Sequence, residues 1–464
     1  MSGTDRLTTL DASFLWFEHP GAPVHVGAVA TFEAAPLLDE HGDLRLDDLR
    51  RRTAARLDAL PRLRRRLAPV PFELDRPQWV DDPDFDIDNH LKEVRAPAPG
   101  DDGALRRVAE EILSALLPRD RPLWDLHLVT GLDGDRVALV ERIHHALVDG
   151  VSGVDLAAIL LDLEPDAPPV PLRPWTPEPG PSEGDLLADG LRDRLTDPVR
   201  AVRALAGAAT HPWQTLRSAA GIGRGLAAVL ADGLVAPRSS LNATIGGPRR
   251  LAWLRADLAA VRAAGRRAGG SVNDVVLAAV AGGLRSLLLE RGELLPPDLE
   301  LKVLVPVSLR RTDEHGALGN RVGSIFAPLP VGIGDPDTRL AAVVSTMREL
   351  KARPEGETVG KLLDATNAVP AGAAHLLTRT IEHQPFVNLV VTNVPGPPVP
   401  LYAAGARMLE AFPVVPLGAN LTVGAAVLSY DGRLTVTLTA DAAACPDVDV
   451  LAAGIERALA GYAA

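Results

Sequence analysis

The run Arg142-Ile143-His144-His145-Ala146-Leu147-Val148-Asp149-Gly150 puts two imidazoles and a carboxylate at the end of an apolar segment. An imidazole titrates near neutral pH, so it can take the proton from an alcohol while that alcohol attacks a carbonyl. Consecutive strand residues point to opposite faces, so only one of the two histidines can address a given cleft. His145 leads into the turn, which assigns it the base role and leaves His144 as scaffold. Asp149, four positions on, is placed to organise the turn or hold a buried arginine, and Gly150 supplies backbone freedom. The same string would also suit two hydrogen-bonded core histidines ahead of an ordinary Asp-Gly turn.

Other machinery is missing from the sequence. There is no Gly-x-Ser-x-Gly elbow, and Gly150-Val151-Ser152-Gly153 has the wrong spacing for one. There is no His-Glu-x-x-His pair, and Cys445 is the single cysteine. A histidine base without a covalent partner, metal or prosthetic group points to direct attack of one substrate on a pre-activated other in a ternary complex.

The elements that must position these groups are legible from periodicity. Val24 to Phe32 reads as a strand, and Leu46 to Leu67 as an Arg-rich helix interrupted at Pro61. A helix over 102–117 precedes strands over 124–132 and 136–143, the second almost wholly apolar as a central strand would be. A helix over 154–163 follows. Proline is dense between Pro165 and Pro181, which marks an extended linker. Residues 184–235 regain helical character. Beyond Leu251 come strands near 301–308, 321–329, 387–393, 419–429 and 433–440, with helices near 256–266, 273–289, 338–352 and 447–462. The expected division is 1–164, a linker and helical connector over 165–250, and 251–464.

The 464 residues exceed what one hydrophobic core usually serves. A formal net charge of −12 gives no global positive field, so nucleic acid is excluded as the expected partner. One cysteine excludes a disulfide framework. The N-terminus lacks a basic stretch followed by an apolar run, and no long uncharged apolar span occurs, which predicts a cytoplasmic protein.

The histidine string, together with Leu10-Asp11-Ala12-Ser13-Phe14-Leu15, Val24-His25-Val26-Gly27 and Arg121-Pro122-Leu123-Trp124, resembles the bacterial wax ester synthase/diacylglycerol acyltransferases. The likeness continues through Asn273-Asp274, Pro306-Val307-Ser308-Leu309-Arg310, Gly319-Asn320-Arg321-Val322, Asn393-Val394-Pro395-Gly396-Pro397 and Pro416-Leu417-Gly418. It spans nearly the whole chain in the family's order. The resemblance implies a mixed α/β fold of two domains similar to chloramphenicol acetyltransferase, joined by a helical connector, with the active site at their interface. It implies that His145 deprotonates a fatty alcohol or a diacylglycerol hydroxyl, which attacks the thioester of acyl-CoA, the co-substrate. Asp149 would be structural and His144 supportive.

Ser271-Val272-Asn273-Asp274 fits a helix capping box, and the resemblance adds an oxyanion-stabilising amide at Asn273. Asn393, Pro395 and Gly396 suit a turn, and by resemblance they line the substrate channel. Arg310 could pair with CoA phosphates or with internal acids, and Trp124 reads as core. Residues 198–231 hold Arg200, Arg203, Arg217 and Arg224 and no acid, so this stretch suits either a connector packed on its own domains or docking on a membrane or lipid inclusion. Two other readings are a condensation-type or polyketide-associated enzyme fed by a carrier protein, and an inactive lipid-droplet protein.

Overall fold

The computed structural model describes residues 5–147, 160–192, 235–308, 322–352 and 384–463. The first half opens with helix α1 (Thr9–Phe17), started by a reciprocal Thr8–Asp11 capping box. Strand β1 (His25–Glu33) and helix α2 (Leu46–Arg56) follow. The helix expected to run to Leu67 stops at Arg56; 3-10 turns occupy 57–64, and β2 (Arg65–Ala68) takes the rest. Leu60 sits at φ −131° and ψ 62°, because the ring of Pro61 crowds the residue before it out of the helical region. Then come β3 (Gln78–Asp81), β4 (Leu91–Arg95), α3 (Asp102–Ser114), β5 (Trp124–Thr130) and β6 (Arg136–His144).

The proline-rich stretch carries neither helix nor strand over 167–182, and helix resumes over 183–192. Of the helix expected over 154–163, residues 154–159 lie outside the described residues; residue 160 is helical, but 161–163 are not, and Asp162 instead bridges antiparallel to Tyr402. The whole of 198–231 lies outside the described residues.

The second half contains β7 (Arg249–Asp257), α4 (Leu258–Arg267), α5 (Val272–Glu290), β8 (Leu301–Ser308), β9 (Val322–Leu329) and α6 (Pro336–Ala352). It continues with β10 (Leu389–Pro395), β11 (Tyr402–Ala403), β12 (Ala406–Val414), β13 (Val423–Tyr430), β14 (Arg433–Asp441) and α7 (Val448–Ala463). The Ser271–Asp274 capping box forms at the start of α5. A Cβ on Gly283 of α5 would lie 2.5 Å from the Ile455 side chain, so glycine is what lets α5 and α7 approach so closely. By length and composition α5 could cross a membrane, but 72% of that apolar window is buried inside the fold, as a core helix requires.

The strands form two six-stranded mixed sheets and a β2–β3 ribbon. The first sheet runs β11-β12-β1-β6-β5-β4, the second β7-β14-β13-β10-β8-β9. Two strands of the first sheet therefore come from the C-terminal half: β12 pairs antiparallel with β1, with Gly27 opposite Val414 and Ala30 opposite Ala411. Each half has its own apolar core, and a third cluster joins them through Val29, Val129, Val140, Leu251, Phe412 and Val414. Arg255 of β7 reinforces this junction by donating to Glu410 of β12 at 2.6 and 2.7 Å while lying over the Phe412 ring.

Candidate active site

β6 lies between β1 and β5, so its side chains alternate between two buried environments. Leu139, Glu141 and Ile143 face a large cavity, while Arg142 and His144 do not line it. The chain then leaves the strand in a 3-10 turn, His145–Leu147, and this turn brings His145 to the cavity wall. The His145 backbone N–H donates to the Val24 carbonyl at 2.9 Å, and its ring stacks against Phe14 of α1 at 4.1 Å between centroids.

His144 is fully buried. Its Nδ1 accepts the Ala146 N–H at 3.1 Å, so Nε2 carries the ring proton and faces Glu18 Oε1, 3.4 Å away. His25 Nε2 lies at the same 3.4 Å from Glu18 Oε1. Glu18 also accepts the Val24 N–H at 3.2 Å and pairs with Arg119 at 3.1 Å. Burial by itself would raise the Glu18 carboxyl, but hydrogen bonding and charge from His144 and His25 outweigh it and hold the group well below the usual carboxylate range. Burial pushes the His25 imidazole down, against a partly compensating pull from Glu18. Glu18 is the C-cap of α1, so one helix sets both Phe14 on His145 and a carboxylate on His144.

The neighbouring Arg142 is a structural tie. It forms a bidentate pair with Asp125 of β5 at 2.9 and 2.6 Å, and donates to the Ile112 and Ala115 carbonyls at the end of α3 at 2.7 and 2.6 Å. It thereby satisfies carbonyls that a helix end leaves open. Gly27 is the close-approach residue of this sheet: a Cβ there would meet the Glu141 carbonyl oxygen at 2.0 Å.

The cavity has a volume of about 1410 Å³ and reaches both halves. Its walls include Val26, Ala28 and Phe32 of β1, Leu60 and Leu63, and Thr392, Val394, Pro395 and Gly396 at β10. Sites for drug-sized ligands run to about 300–1,000 Å³, so this volume suits a long aliphatic chain. Pro395 and Gly396 stand in the wall. Asn393 points elsewhere: its Nδ2 donates to Asn273 Oδ1 at 3.3 Å, and neither asparagine lines the cavity. Trp124 is buried core, bonded through Nε1 to the Leu63 carbonyl and stacked on His90. Asp149, Gly150 and Arg310 lie outside the described residues.

Sequence reasoning assigned no role to Glu18, His25, Phe14 or Glu141. The Thr-x-x-Asp spacing at Thr8–Asp11 could have marked the start of α1, but the reach of its C-cap to a histidine 126 positions later leaves no spacing signal.

A family model of the wax ester synthase/diacylglycerol acyltransferase catalytic domain matches residues 7–276, and the WS/DGAT C-terminal domain matches residues 318–462. A putative diacylglycerol O-acyltransferase of Mycobacterium tuberculosis is 34% identical over 98% of this chain and 89% of its own. Another, probable, diacylglycerol O-acyltransferase of that organism is 33% identical over 98% and 95%. The structure of a wax ester synthase/diacylglycerol acyltransferase from Marinobacter aquaeolei superposes with a TM-score of 0.68 at 28% identity, covering 98% of both chains. The first condensation domain of the calcium-dependent antibiotic synthetase has a TM-score of 0.58 at 17% identity, a likeness of fold, covering 100% of this chain and 97% of that one. On two family domains and full-length relatives above 30% identity, this chain belongs to the wax ester synthase/diacylglycerol acyltransferase family.

Proposed function

We propose that the protein is an acyl-CoA-dependent O-acyltransferase that moves a long-chain acyl group to diacylglycerol or a fatty alcohol, giving triacylglycerol or wax ester. The observation that carries this is an imidazole, His145, on the wall of an apolar cavity large enough for lipid chains. His145 acts as general base: it takes the acceptor's hydroxyl proton as the oxygen attacks the thioester carbonyl. The tetrahedral intermediate collapses by breaking the carbon–sulfur bond, and the proton on His145 passes to the departing CoA thiolate. His144 and Glu18 hold the turn behind the base. Asn393 bonds the Asn273 Oδ1 at the N-terminal end of a 19-residue helix, but neither side chain reaches the cavity wall, so the oxyanion role is not assigned to Asn273. By the resemblance, Asp149 organises the turn that carries the base, and Arg310 pairs either with a CoA phosphate or with an internal acid. Acceptor and product are nearly insoluble, so transfer takes place at a membrane or lipid-inclusion surface.

Product analysis with palmitoyl-CoA and each acceptor tests the reading. Triacylglycerol or wax ester from free acyl-CoA is the expected result. Turnover only when the acyl group is loaded on a carrier protein would replace it with the condensation-type alternative, and no turnover with intact acyl-chain binding would favour the inactive lipid-binding one.

A further inference from the structure

Glu141 stands on β6 between Leu139 and Ile143, and all three line the cavity. Its register partners in the flanking strands, Ala28 on β1 and Leu126 on β5, line it too. Glu141 is the one acid among the described residues of the cavity wall, and it has no hydrogen-bond or ion-pair partner among them. Burial alone pushes its carboxyl up to about 7. The other titratable groups on the wall are Arg62, His145 and Tyr430. Arg62 bonds Asp5 at 2.9 Å, and the Tyr430 hydroxyl accepts the Leu401 N–H and donates to the Met408 carbonyl.

An unpartnered carboxyl in an apolar channel opposes passage of a plain hydrocarbon, and a hydroxyl placed against it removes that cost. Glu141 lies four residues before His145, about 10–13 Å along the sheet at strand spacing. The ester groups of a glycerol acceptor sit within a few bonds of the reacting hydroxyl and do not span that length. Ala30, Leu139 and Phe32 continue the apolar wall, so a chain that passes Glu141 still has lining to occupy.

We propose that Glu141 is a polar subsite partway along the lipid channel, selecting long-chain substrates that carry a mid-chain hydroxyl. The inference rests on the acyltransferase reading and deepens it to a substrate class. The protonated carboxyl donates to or accepts from the hydroxyl, and the carboxylate accepts the hydroxyl's proton in a hydrogen bond. Plain chains satisfy neither form.

The test is competition between oleoyl-CoA and ricinoleoyl-CoA, which differ by one mid-chain hydroxyl, using the purified full chain and one short alcohol. A second arm pits oleyl against ricinoleyl alcohol with palmitoyl-CoA and identifies which chain passes Glu141. Wild type is expected to favour the hydroxylated member by about tenfold in one arm. Glu141→Leu should erase the preference and raise transfer of the plain chain. The preference should grow from about pH 6 to about pH 8 as the carboxylate forms, because any effect of pH on the shared chemical step is common to both competitors and cancels in the ratio. Glu141→Gln, isosteric but unable to ionise, should keep a preference and lose its pH dependence. A wild-type ratio near one in both arms, or an unchanged ratio in folded Glu141→Leu, overturns the subsite. Failure of wild type to transfer either member of either pair would instead remove the acyltransferase reading, and the subsite with it.

Discussion

The Glu18 carboxylate faces the His144 imidazole across 3.4 Å, with side chains 1% and 0% exposed. The helix that ends at Glu18 also lays Phe14 on His145. The supporting histidine and the proposed base are thus held through one short element, which joins stability to activity.

Glu18→Gln keeps the shape and removes the charge. Loss of charge-assisted bonding in a buried site should cost about 2 kcal/mol and lower turnover together with it. The folded Glu18 carboxyl titrates below its unfolded value, so its contribution is complete above about pH 4.5 and is lost as the pH falls. Melting curves of variant and wild type should therefore converge in acid. A variant as stable as wild type at neutral pH would contradict the structural role.

His145→Ala should lower transfer by about 10²–10⁴ with little change in melting temperature, since the ring stands at a cavity wall. His144→Ala should mainly destabilise, because it leaves a buried glutamate without one of its partners. The reverse pattern, activity lost in a stable His144→Ala and retained in His145→Ala, would exchange their roles.

A separate acid response is expected at His90. Its Nδ1 donates to the Trp124 carbonyl at 2.7 Å, its ring stacks on Trp124, and burial lowers its pKa to about 4 from 6.5. As the pH falls, the unfolded chain takes up this proton first. Stability is therefore intact above about pH 6.5 and declines by about 3 kcal/mol toward pH 4. His90→Phe should flatten that limb of the melting-temperature profile. Parallel profiles for variant and wild type would rule His90 out as the cause.

Incubation with acyl-CoA alone should leave the 49.0 kDa chain unmodified by mass spectrometry. Cys445 is buried, and burial pushes its thiol up to about 11, far from a reactive thiolate. A stable adduct on Cys445 or Ser152 would replace direct transfer with a covalent intermediate.

Strands that repeat an apolar pattern were legible: β6 and β8 fall within a residue of their sequence-derived limits. β12 was not, because Arg407, Glu410 and Pro413 interrupt its pattern. The structure accounts for the buried acid, since Arg255, 155 residues away, accompanies Glu410. The site followed the same rule. The histidine string declared itself through local spacing, whereas Glu18 and Glu141 matter through environments that only the folded sheet creates. Asn273 and Asn393 were each visible as short motifs, but their mutual bond was not.

β12 makes the two halves interlocked parts. Its pairing with β1 closes the flank of the first sheet with chain from beyond residue 400. A fragment ending at residue 164 would leave β1 with a bare row of donors and acceptors, a template for joining strands from other molecules. The same clasp fixes how the enzyme can breathe. Hinged separation of the halves would have to unzip a sheet, so the frame around His145 resists opening by that route.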